Sequence, residues 1–138
     1  MNFADQLEDK IRDCRSEGYG ICRIFHGREV VPIKKGLKQL GMLSTSLSFC
    51  IEVDKSKALE VLVTALRYHL SSDTYEVMSE NNSKEIAKEF IEAMPGKPKL
   101  YVNEIWGGYE PLTNHHYDRG IMAIDKGIVA ILWVMDDV

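Results

Sequence analysis

The sequence predicts a single layered α/β domain of the α+β kind over residues 1–138, with helices packed on a mixed β-sheet that ends in an antiparallel hairpin. Three observations carry this. Apolar residues recur at helical spacing through the first two thirds of the chain. From Lys99 onward the pattern changes to strand. The segment Gly120 to Val134, folded at Asp125-Lys126-Gly127, reads as a hairpin. A chain of 138 residues that is 45% hydrophobic can bury one core without disulfides or metal.

Phe3, Leu7, Ile11 and Cys14 mark a first helix, and Gly18 stops it. Ile21 to Phe25 reads as a strand, with Arg28 to Ile33 as its return beyond a turn at His26-Gly27. Lys34 to Leu40 suits a short helix closed by Gly41. Leu47, Phe49, Ile51 and Val53 alternate with polar or small residues, the strand period. Asp54 then caps a helix running to about Leu70, whose broad apolar face calls for burial against a sheet. Thr74 to Met78 is a candidate strand, and Asn82 with Glu85 reads as the cap of a further helix ended by Pro95-Gly96. Leu100 to Ile105 is the next strand. Ile128 to Val134 is apolar at every position, so it belongs in the middle of the sheet, covered on both faces.

Composition narrows the function classes. The Met1 end is amphipathic and mixed in charge, unlike a secretion signal, and the apolar run Ile128–Met135 is too short to span a bilayer. Cys14, Cys22 and Cys50 lack zinc-like spacing and sit in apolar stretches, as buried reduced thiols do. A cytoplasmic protein is the expectation. Net charge is −4, and residues 47–138 hold nine basic against fifteen acidic side chains. That disfavours direct nucleic-acid binding and suits an acidic face for a basic partner.

Chemistry is harder to place. His115-His116 with Asp118 offers metal ligands or an acid–base pair, but adjacent histidines in a strand point to opposite faces and no third ligand is placed. His69 near a helix end and His26 at a turn read as structural. Ser44, Ser46 and Ser48 lack a nucleophile elbow. Gly18-Tyr19-Gly20 lacks the third glycine and lysine of a phosphate loop. No catalytic residue, metal ligand or cofactor is therefore assigned, and binding is expected in place of catalysis.

The loop Trp106-Gly107-Gly108-Tyr109-Glu110-Pro111-Leu112-Thr113 sets two large aromatics in a Gly/Pro-rich connection. They serve either as partner anchors or as a plug folded over the sheet edge. Taken with Leu100-Tyr101-Val102-Asn103, Tyr117-Asp118-Arg119-Gly120-Ile121 and Ile131-Leu132-Trp133-Val134-Met135-Asp136-Asp137, this loop resembles small bacterial immunity proteins of contact-dependent growth inhibition and related polymorphic toxin systems. The resemblance covers about the last 40 residues. It implies a cytoplasmic, non-enzymatic protein that binds and neutralises a cognate toxin domain, commonly a nuclease, by covering its active site.

Chain topology then nominates Trp106, Tyr109, Glu110, Tyr117, Asp118, Asp136 and Asp137 as one exposed partner-binding face. On that reading, charge reversal at Asp118 or Asp136 weakens partner binding and spares stability. The alternatives are a small metal-assisted hydrolase using His115 or His116 with Asp118, and a regulatory subunit working as an oligomer. Monomer and homodimer are both compatible with toxin binding.

Overall fold

The computed structural model describes residues 2–26, 51–72, 74–105, 108–109, 113, 115–125 and 127–137, with the backbone alone at 26, 104–105 and 108–109. The return strand expected at Arg28–Ile33, the short helix at Lys34–Leu40 and the Leu47–Phe49 part of the next strand lie outside them. The described residues form helices α1 (Phe3–Cys14), α2 (Lys55–Arg67) and α3 (Glu80–Glu92). Their strands are β1 (Tyr19–His26), β2 (Ile51–Val53), β3 (Lys99–Val102), β4 (Glu104–Ile105), β5 (Gly108–Tyr109), β6 (Tyr117–Asp125) and β7 (Ile128–Asp136). Five strands make one sheet in the order β1-β7-β6-β3-β2, while β4 and β5 pair as a separate ribbon. The chain is thus one domain of the expected α+β class. Every pairing among the described strands is antiparallel, where a mixed sheet was expected.

The last strand is central, between β1 and β6. Its two-residue period explains why an unbroken apolar run was needed. Ala130, Leu132 and Val134 join the core beneath the helices, together with Leu7, Ile11, Leu62, Leu66 and Phe90. Val129, Ile131, Trp133 and Met135 point the other way and are buried with Met122. The hairpin is longer than the sequence indicated, because β6 starts at Tyr117 and Tyr117 faces Asp136.

Side-chain caps set the helix starts. Asn2 Oδ1 accepts from the Asp5 amide at 2.8 Å, and Asp54 Oδ1 accepts from Lys57 at 2.8 Å. Ser79, in place of Asn82, caps α3, its hydroxyl accepting from the Asn82 amide at 3.1 Å. Helix α2 stops at Arg67, short of Leu70, because Tyr68 leaves it to bridge Glu76. That bridge is all that forms of the strand expected at Thr74–Met78, closed by the His69 amide donating to the Tyr75 carbonyl at 2.9 Å and the Val77 amide donating to the Arg67 carbonyl at 2.7 Å; the Met78 amide turns to the same Arg67 carbonyl at 3.1 Å.

The strand expected from Leu100 to Ile105 breaks at Asn103. The buried Asn103 amide donates to the Asp118 carbonyl at 2.9 Å, so a side chain bonds β6 just where β3 ends. The chain then enters the β4–β5 ribbon, in which Ile105 faces Gly108. Tyr109 was expected in an irregular loop, and its backbone instead lies in β5. Among the described residues, no helix is long and apolar enough to cross a membrane.

Candidate functional site: an aromatic and acidic face at one end of the sheet

Register fixes which residues share this end. Tyr19 opens β1 opposite Met135, and Tyr117 opens β6 opposite Asp136. Strand β3 leaves the sheet beside them, one residue past the Val102–Ile121 pair. The ribbon that carries Tyr109 therefore departs from the same end. Trp106 and Glu110 lie outside the described residues, as does the side chain of Tyr109.

Two of the nominated residues are not on a face at all. Asp136 is 1% exposed, and its carboxylate receives the Arg15 guanidinium through two bonds of 2.6 and 2.7 Å. The Leu70 amide adds a third at 2.8 Å. Arg15 also donates to the carbonyls of Leu66 and Tyr68 at 3.1 and 2.9 Å, closing the end of α2. A charge so paired is structural. Gly18 is required beside it, with φ of +65° and no room for a Cβ against Asp136 Oδ1 and Arg15 Nη1.

Asp118 is fully buried on the opposite face of the sheet. Trp133 Nε1 donates to its Oδ1 at 2.9 Å, and the Thr113 amide and hydroxyl donate to Oδ2 at 2.7 and 2.6 Å. Gly120 makes this possible: it faces Trp133 across the ladder, and a Cβ there would sit 2.7 Å from the indole Cε3. The expectation that Asp118 and Asp136 are exposed is therefore corrected. Their sequence context shows acidity next to strands but not the partners, Arg15 and Trp133, that draw them inward.

The carboxylate that bonds the histidines is Asp137, from just beyond β7. Its Oδ2 lies 3.0 Å from His115 Nδ1, and its Oδ1 accepts from the His116 amide at 3.1 Å. The hydrogen bond from His115, then that from the His116 backbone, hold the Asp137 carboxyl below its ordinary range. The Tyr19 hydroxyl lies 2.5 Å from His115 Nε2, with the two rings edge to face at 5.1 Å. Burial, then the Asp137 charge, raise the Tyr19 phenol. No group of three His, Cys, Asp or Glu side chains arranged to hold a metal is present among the described residues.

The same face extends to His69, which the sequence reads as structural, and to Tyr75, which it does not single out. The His69 ring lies 6.1 Å from Tyr75 and 6.3 Å from Tyr117, and its Nδ1 is 2.7 Å from the Ser71 hydroxyl. Glu17, hydrogen-bonded to the Tyr75 phenol, raises the pKa of that group. A surface hollow of about 360 Å³ is lined by Glu17, His69, Ser71, Tyr75 and Asp137. Tyr19 is 45% exposed and Tyr75 52%, the two largest aromatics left open among the described residues. A larger hollow of about 680 Å³ opens at the other end of the sheet, beside Lys99 and Leu100, and holds none of the nominated residues.

Of the nominated set, then, Tyr117 and Asp137 stand on this face, joined by Tyr19, Tyr75, His69, His115 and His116. Exposed tyrosines with flanking carboxylates and imidazoles can supply buried area and hydrogen bonds to a macromolecule. No model of a known protein family matches the chain, and no curated protein or solved structure is found to be similar to it.

Proposed function

We propose that this chain is an immunity protein, an antitoxin-like binder that neutralises a cognate toxin domain of the nuclease class by covering its active site. The observation that carries this reading is the aromatic and acidic end face, on which exposed Tyr19, Tyr75 and Asp137 flank the half-buried Tyr117 and His115. Tyrosines are common anchors of protein interfaces. A nuclease site is basic because it holds phosphates, so carboxylates meet it with complementary charge and speed association. The acidic balance of residues 47–138 works in the same direction.

The contact-making carboxylate on this reading is Asp137, with Asp118 and Asp136 holding the scaffold behind it. The test is co-expression with the C-terminal domain of whatever secreted protein the neighbouring gene encodes. Restored growth and a co-purifying complex support the reading. Continued killing together with no complex removes it.

A further inference from the structure

We propose that the hollow between Glu17, Tyr75 and Asp137 receives an arginine side chain presented by the protein partner, an assignment that rests on the partner-binding reading above. Its walls argue for a flat cation. Tyr75 is 52% exposed, yet its ring is not loose: Glu17 holds the phenol, and His69 lies against the ring at 6.1 Å. His69 is in turn set edge to face on Tyr117 at 6.3 Å, so three rings stand in a row behind the opening. A guanidinium can stack on such a wall, whereas an ammonium offers only a point charge.

The margins argue for positive charge with several donors. Glu17 comes from the turn after α1 and Asp137 from the end of β7, placing carboxylates from two separate chain segments on one hollow. No lysine or arginine is among its described lining residues, and the bonds of Asp137 to His115 and the His116 amide leave each of its oxygens a further lone pair. Arg15, the nearest guanidinium in sequence to Glu17, is turned inward onto Asp136. A planar donor fork can bond a carboxylate edge-on while its face lies on tyrosine, which a lysine does less well.

The test uses the full chain and three capped tripeptides, carrying arginine, lysine or the neutral arginine isostere citrulline, titrated by amide NMR. The arginine peptide is expected to shift the Glu17, Ser71, Tyr75 and Asp137 amides saturably. Lysine should bind about fivefold more weakly and citrulline about tenfold. Glu17→Gln and Tyr75→Leu should each weaken the arginine peptide about fivefold at unchanged melting temperature. Equal binding of citrulline, or shifts that avoid the hollow, would overturn the assignment. A toxin domain that binds while the arginine peptide does not also overturns it and leaves the immunity reading standing. Saturable arginine binding with no toxin complex upholds the pocket and removes that reading instead.

Discussion

Arg15 and Asp136, 121 residues apart in the chain, meet through two hydrogen bonds of 2.6 and 2.7 Å with both side chains fully buried. The pair ties the end of α1 to the end of β7, and its remaining donors close the end of α2. Removing one partner strands the other charge in the core, which costs about 3–5 kcal/mol. Asp136→Lys is therefore expected to lower the unfolding free energy by about that amount in urea titrations. Asp137→Lys, one residue on and exposed, loses only solvent-screened bonds to His115 and His116 and should lower the urea midpoint far less.

Asp118 and Trp133 form the second internal polar joint. Trp133→Phe keeps most of the ring and deletes the indole N–H, leaving Asp118 Oδ1 without its 2.9 Å donor. The expected loss is about 1–3 kcal/mol. Trp133→Ala also empties the packed face around Met122 and Ile131, for an expected loss of about 3–5 kcal/mol. Both are read from the same denaturant curves.

The two cysteines among the described residues should differ in reactivity. Cys22 is fully buried, and burial, then the neighbouring Glu8, push its thiol up to about 12. Cys14 is partly exposed. At pH 8 in the native state, thiol alkylation mapped by mass spectrometry should label Cys14 well before Cys22. Comparable labelling would show that the α1–β1 core opens readily.

A pH effect follows from Asp137. Its carboxyl is held below the ordinary range by His115 first and the His116 amide second. A depressed folded pKa adds stability that is present above the unfolded value and is lost as pH falls through the folded one. The window therefore lies at and below about pH 4, the ordinary aspartate value. Asp137→Asn should flatten the stability profile there, melting somewhat below the parent near neutrality, where the contribution is fully present, and like the parent below the folded value, as followed by thermal melts across pH.

Much of the fold was legible because its signals are local. The period of Phe3, Leu7 and Ile11 marks α1, and the apolar run after Gly127 marks a central strand. Asn103 was not legible: a polar residue inside an alternating stretch looks like an outward strand position until its amide is seen bonding Asp118. The Thr74–Met78 stretch pairs only at the Tyr68–Glu76 bridge, where the Met78 amide turns back to the Arg67 carbonyl and the ladder goes no further. The face was harder still. Acidic residues beside strands look exposed in sequence, and nothing local to Asp136 points to Arg15. Tyr19, His69 and Tyr75 carry no pattern of their own, and only the register of β1 on β7 and the turn after α2 bring them beside Asp137.

The end face formed by Tyr19, Tyr75, Tyr117, His115 and Asp137 is the proposed toxin-binding surface. Its most direct test is the affinity of the purified toxin domain for Tyr19→Ala, Tyr75→Ala and Asp137→Lys variants, measured by calorimetry beside their melting temperatures. Loss of a buried aromatic anchor costs about 2 kcal/mol or more, so each tyrosine variant should bind about thirtyfold more weakly while melting like the parent. Undiminished affinity in all three variants, with folding intact, would show that this face does not bind the toxin domain.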